Sequence, residues 1–273
     1  MAGIYIHIPF CKQACHYCNF HFSASTKLLD PMVQALCKEI ELQQHFFDAQ
    51  NTLIDTIYFG GGTPSLLPSH ATAQILATIK KYFNLSAQIE ITLEANPDDI
   101  TREKLISLKS MGINRLSIGV QSFVNEDLIW MNRAHRSEAA VQAIELAKAV
   151  GIHNISIDLI YGIPTLTNEK WIQNIDKAVA LEVQHLSCYA LTVEPKTPLN
   201  ALILKGEKED IDTAKQAVHF ELLTKHATHA GYEHYELSNL ALPGYRSKHN
   251  TSYWQQKKYL GIGPSAHSFT GSS

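Results

Sequence analysis

Six short apolar runs alternate with amphipathic helical stretches through the first two thirds of this chain, and that alternation limits the fold more than any other feature. The runs fall at 3–8, 55–59, 88–94, 115–120, 154–161 and 185–191. Helical patterns occupy 31–48, 69–83, 101–111, 125–131, 137–150 and 168–181 between them. Strands joined through helices run parallel, with right-handed crossovers. The fold class is therefore α/β, and six such units fit either an open doubly wound sheet or a partial barrel. A chain of 273 residues buries about three quarters of its unfolded surface in either form.

Local punctuation supports the same reading. Asp30 ahead of Pro31 and Asn168 ahead of Glu169 read as helix starts, and Gly112 and Gly151 as helix stops. After Glu194-Pro195-Lys-Thr-Pro198 the pattern changes to a helix over 209–230 and a short strand at 232–236. An irregular stretch rich in His, Tyr and Trp then leads to Gly261-Ile-Gly263-Pro264. This divides the chain into a core over 1–235 and an accessory segment over 236–273.

Composition excludes several functions. A net charge of −3 offers no basic stripe to neutralise phosphates, so no nucleic-acid partner is expected. The sequence has no apolar run near the roughly 20 residues of a membrane span and no secretory leader pattern. Five cysteines, three of them clustered, do not make a disulfide scaffold at this length. The expected compartment is reducing, the cytoplasm.

The cluster is Cys11-Lys-Gln-Ala-Cys15-His-Tyr-Cys18, directly after the first run. The thiols could simply be buried. With His16 or His21 they could close a structural zinc site, although zinc knuckles usually come in pairs, and Cys37 and Cys188 stand alone. Or they could hold three corners of a [4Fe–4S] cluster, leaving one iron open to a further ligand. Gly60-Gly61-Gly62-Thr63-Pro64 ends the second run. It lacks the features of a P-loop or a dinucleotide fingerprint, but without Cβ atoms its backbone can pass close to a small ligand. A tight strand-to-helix turn is the plain alternative.

Polar groups gather at the ends of the following runs, where parallel βα folds bind ligands. Glu94 ends the third, Gln121 the fourth, and Arg133 lies just beyond. Asp158 interrupts the apolar run Ile157-Asp158-Leu-Ile-Tyr161 and needs a partner or a ligand. Asn96 and Ser122, taken singly, read as structural hydrogen-bonders.

On these residues the sequence resembles the radical S-adenosylmethionine superfamily, whose signature is three cysteines spaced as here, with an aromatic residue, Tyr17, before the third. Within it the chain is similar to the group of oxygen-independent coproporphyrinogen III oxidases and heme chaperones, over essentially its whole length. The resemblance implies an incomplete (β/α)6 TIM-like barrel, with a [4Fe–4S] cluster on Cys11, Cys15 and Cys18. It implies S-adenosylmethionine on the open iron, with Gly61, Gly62 and Thr63 along its methionine end. Tyr5, Tyr17, Glu94, Gln121, Arg133 and Asp158 would form the rest of that pocket, with main chain near Thr192 and His267 around the adenine.

Three features favour the chaperone branch over the oxidase. The oxidase carries a further cysteine two residues after the third, where this chain has Phe20. The oxidase also has a substantial extension before its first strand, which here begins almost at once. His249-Asn250-Thr-Ser-Tyr253-Trp254 matches the chaperones' heme-binding motif, in which an imidazole can ligate iron and aromatic rings can edge the macrocycle. The implied function is binding of heme and its transfer to respiratory, often membrane-bound, heme proteins. The alternative is oxidative decarboxylation of coproporphyrinogen III in porphyrin biosynthesis. Proteins of this group continue for about a further hundred residues, one small domain, so the accessory segment looks truncated.

Overall fold

The structure is a computed structural model that describes residues 2–47 and 52–271. Its elements follow the predicted alternation. They begin with β1 (Ala2–Ile8), α1 (Leu29–Leu42), β2 (Leu53–Gly61), α2 (Ser69–Tyr82), β3 (Asn84–Ala95) and α3 (Arg102–Ser110). Next come β4 (Arg115–Gln121), α4 (Asn125–Trp130), α5 (Ser137–Ala149), β5 (Asn154–Tyr161), α6 (Asn168–Ala180) and β6 (His185–Ala190). The remainder is α7 (Pro198–Leu204), α8 (Thr213–His229), β7 (Glu233–His234), β8 (Asn239–Ala241), α9 (Lys248–Trp254) and β9 (Tyr259–Ile262).

Strands β1 to β6 lie side by side in chain order, every neighbouring pair parallel. Among the described residues no ladder joins β6 back to β1, so the barrel stays open, as an incomplete (β/α)6 barrel requires. Both free edges are occupied by the C-terminal part of the chain. β9 pairs parallel with β1, and β8 pairs antiparallel with β6 and carries β7. The boundary expected at 235 thus falls between two strands of one sheet.

Side chains alternate across these strands with period two. On β4 the apolar Leu116, Ile118 and Val120 join the helix-facing core, while Arg115, Ser117, Gly119 and Gln121 alternate with them. Thr56, Glu90, Thr92, Ser156, His185 and Ser187 are likewise buried polar residues on β2, β3, β5 and β6. The inner face of the barrel is therefore polar and the outer face apolar.

Two of the predicted helix starts need correction. α1 begins at Leu29, so Asp30 lies inside the first turn rather than at the cap. α6 is capped by Thr167, whose hydroxyl accepts the Lys170 N–H, and Asn168 is already helical. Gly112 and Gly151 do stop their helices, at φ 102° and 82°. α1 also ends six residues short of the predicted 31–48, and residue 48 lies outside the described residues.

The stretch read as irregular contains β8, α9 and β9. α9 is fixed by His249, whose ring enters the barrel beside Gly3 and Thr56. A Cβ on Gly3 would stand 2.7 Å from the Thr56 hydroxyl and 3.2 Å from the His249 ring. Gly3→Ala should therefore overpack this contact and cost about 1–3 kcal/mol, read from the denaturant midpoint. An unchanged midpoint would mean that the ring has room to move.

Candidate functional site

The loop after β1 carries the three cysteines and has a defined shape. Ser23 donates to Pro9 O at 2.6 Å, and Cys11 N–H donates to Ser23 O at 3.0 Å. His16 N–H donates to Met131 O, and the His16 ring lies 3.2 Å from Trp130 O. His16 O accepts from Leu199, and Asn132 donates to Ala14 O. The loop is thus clipped to the end of α4 and the start of α7. Lys12 adds an ion pair to Asp98 and Asp99, and Asp99 also accepts from Ser65.

The glycine-rich end of β2 meets this loop directly. Gly62 N–H donates to Ile8 O at 2.8 Å. A Cβ on Gly62 would lie 2.7 Å from Phe10 O and 3.0 Å from Cys11 Sγ. Gly61 takes φ 111°, and its Cβ would strike the His7 ring at 2.7 Å. These two glycines let the cysteine loop pack on the strand end. Thr63 Oγ1 lies 3.5 Å from Cys11 Sγ.

All three thiols line one cavity of about 430 Å³, within the usual range for a small-molecule site. The cysteines are free and only partly buried. Among the described residues no three His, Cys, Asp or Glu side chains are grouped so that they could hold one metal ion. His16, one of the two histidines that could complete a zinc site, has its ring held against the Trp130 carbonyl. Three thiols around one cavity fit a cluster in which three corner irons would each take one cysteine and the fourth would stay open.

Arg133 bridges the thiols to the strand ends. Its Nη1 donates to Cys15 Sγ at 3.3 Å and lies 3.5 Å from the Tyr17 hydroxyl. Its Nη2 donates to Asn96 Oδ1 at 2.7 Å and Gly119 O at 3.0 Å. Asn96 in turn donates to Thr63. Its expected structural role and its place on the cavity wall are thus one arrangement. Ser122, by contrast, is wholly buried against Asp127 and Asn174, away from the cavity.

Two carboxyls face the same space. Glu94 accepts from the Tyr58 hydroxyl at 2.8 Å and from Gly61 N–H at 3.2 Å. Burial, and then the charge of Asp158, push its pKa up to about 8, against these two hydrogen bonds. Asp158 accepts from Ser117 at 3.3 Å. Burial raises its pKa to about 6, opposed by Ser117 and the charge of Arg115. Both side chains keep some accessible surface toward the cavity, yet protein surrounds them on every other side. Gln121 lines the cavity at φ 65°, a left-handed backbone that costs a non-glycine residue about 1–3 kcal/mol.

Thr192 and Asn250 also line the cavity, as do Tyr58, Ser117, Ser187 and Tyr189, which the sequence reading did not single out. Their signal was the two-residue alternation that places them on the inner face. Tyr5 lies behind this wall, stacked on Tyr58 with ring centroids 6.1 Å apart. His267 is exposed, with its backbone against Gly261. The last motif is split. Trp254 is 67% exposed and Tyr253 38%, whereas His249 is 1% exposed and has both ring nitrogens engaged.

Comparison with known proteins agrees with this geometry. The profile of the Radical SAM superfamily matches residues 5–178. The heme chaperone HemW of Bacillus subtilis (strain 168) is 36% identical over 273 residues, covering 99% of this chain and 72% of the relative. The chain belongs to the radical SAM superfamily and, within it, to the HemW family. HemW of Escherichia coli (strain K12) is 37% identical, covering 97% of this chain and 69% of the relative. HemW of Synechocystis is 36% identical, and the chain spans 65% of its length. Among solved structures, coproporphyrinogen III oxidase (HemN) from Escherichia coli superposes with a TM-score of 0.84 at 24% identity. That match covers 99% of this chain and 65% of the oxidase chain, and at that identity it establishes the fold.

The raised carboxyls give a test with a definite sign. A carboxyl with a folded pKa above its unfolded value holds its proton to higher pH when folded. Its contribution is therefore most favourable below the ordinary values of 4.5 and 3.8 and is lost as pH rises toward about 8 for Glu94 and about 6 for Asp158. The thermal midpoint of the cluster-free chain should fall across that window. Glu94→Gln should flatten the upper part of the profile; a wild-type slope in that variant would remove Glu94 as its source.

Proposed function

We propose that this chain binds heme and transfers it to respiratory heme proteins, carrying a [4Fe–4S] cluster on Cys11, Cys15 and Cys18 with S-adenosylmethionine in the adjoining cavity. The observation that carries this reading is the convergence of three free thiols, a glycine-rich strand end and two carboxyls on one cavity, in a chain whose relatives are heme chaperones. Such a cluster, when bound and reduced, supplies an electron that can cleave the C–S bond of S-adenosylmethionine.

The residues of this chain would position and shield that cofactor. Gly61, Gly62 and Thr63 form a wall without bulky side chains against the methionine end. Glu94 and Asp158 accept hydrogen bonds from an ammonium or a ribose, and a cation placed there holds both in their ionised forms. Arg133 keeps Cys15 and Tyr17 in register and lowers the cost of thiolate charge beside it. Gln121 and the main chain at Thr192 complete the wall.

The core over 1–235 carries most of this pocket, with Asn250 reaching it from α9, and the segment over 236–273 carries the heme surface, with Tyr253 and Trp254 as its accessible aromatic rings. Among the described residues no helix is long and apolar enough to cross a membrane. Heme would pass in the cytoplasm to acceptor proteins at the membrane.

Phe20, 66% exposed on the cavity rim, stands where the oxidase has its extra cysteine and favours the chaperone over the enzyme. Protein reconstituted anaerobically should contain iron and acid-labile sulfide in equal amounts, and Cys15→Ser should lose both together with the broad visible absorption. Given S-adenosylmethionine, reductant and coproporphyrinogen III, it should form no protoporphyrinogen; formation of that product would overturn the chaperone reading in favour of the oxidase.

A further inference from the structure

The His249 ring does not sit as an iron ligand would. Its Nδ1 lies 2.7 Å from Thr56 Oγ1 and its Nε2 2.8 Å from the Tyr253 hydroxyl. A neutral imidazole has one donor and one acceptor nitrogen, and the two hydroxyls satisfy both whichever tautomer is present. Binding iron would require breaking one of these bonds and moving a ring that is 1% exposed. The backbone holds it there as well: His249 N–H donates to Glu90, and Ser252 Oγ donates to His249 O at 2.6 Å.

The faces of the ring are also occupied. It stacks on Tyr58 at 5.1 Å between centroids and 27° between planes, and on Tyr5 at 6.4 Å. Tyr58 is the residue whose hydroxyl donates to Glu94 in the cavity. Gly3 has no side chain to compete for the ring's space, and a Cβ on Gly60 would touch Tyr5 and Tyr58 at 2.9 Å and Glu94 at 3.1 Å. The next residue along, Asn250, lines the cavity itself. Positions from β1, β2, β3 and α9 thus form one continuous packed stack beneath the carboxylate.

We propose that His249 is a positioning residue of the cavity floor, holding Tyr58 and through it the Glu94 carboxylate, and that it does not ligate heme iron. This deepens the function proposed above, from which it takes the cavity's occupant. It confines the heme-facing part of α9 to Tyr253 and Trp254. It also makes the first half of the motif serve the S-adenosylmethionine cavity.

The test compares wild type, His249→Leu and His249→Asn, each reconstituted anaerobically. Asn can restore the bond to Thr56 without supplying an imidazole. His249→Leu should weaken S-adenosylmethionine binding about tenfold in calorimetry, the size of one lost hydrogen bond to a charged group. It should also speed hydrogen exchange locally over residues 58–63. His249→Asn should recover most of both. On titration with ferric heme, the Soret band and electron paramagnetic resonance spectrum should match wild type in both variants.

A heme spectrum that loses its wild-type form in both variants overturns the proposal, as does wild-type exchange over 58–63 in His249→Leu. A wild-type protein that binds neither heme nor S-adenosylmethionine would instead overturn the function proposed above. In that case, exchange over 58–63 still decides the role of His249.

Discussion

The unmade ladder between β6 and β1 governs this structure. Six parallel strands leave two edges with unpaired N–H and C=O groups, and an uncovered edge is both costly to bury and prone to foreign pairing. The chain covers both edges with its own last third: β9 on β1, and β8 with β7 on β6. The segment beyond residue 235 therefore completes the sheet as well as supplying a surface. Its helix α9 sits against β1 and β2, where it closes the lower part of the barrel.

An open barrel also permits a polar interior. A closed barrel of this kind is filled by layers of branched apolar side chains. Here the inner face carries Thr56, Glu90, Arg115, Ser156 and His185, and these groups must satisfy one another. His185 does so through Ser156 and Tyr235, both at 2.7 Å, much as His249 does through Thr56 and Tyr253. Burial and the nearby Arg115 charge lower the pKa of both histidines, that of His249 to about 3, so the interior holds them neutral. This layer supports the wall on which the two cavity carboxyls stand, and its members come from five strands and one helix.

Much of the fold was legible in the sequence. Periodicity located all six barrel strands, and β5 came out at the predicted 154–161, because long β-branched runs between turn signals leave few alternatives. α9 was missed: a seven-residue helix built from Lys, His, Asn, Thr, Ser, Tyr and Trp has little intrinsic helicity and is held by tertiary contacts. β9 is four residues long and pairs with a strand more than 250 positions away, which no local pattern reveals. In the site, Glu94 stood out as a charge at a strand end and Asp158 as a charge within an apolar run. Tyr58 did not, since tyrosine is an ordinary strand residue. The burial of His249 depends on Gly3 and Thr56, and nothing near position 249 signals it.

The pairing of β9 with β1 has a consequence for the order of assembly. The strand that leads into the cysteine loop is an early part of the chain, yet one of its two ladders is supplied by residues 259–262. Contacts so distant in sequence form late, because the intervening chain must be ordered before they can close. During synthesis the cysteine loop therefore hangs from a half-paired strand until almost all of the described chain has emerged. The strand that leads into the loop gains its second ladder only from the far end of the described chain.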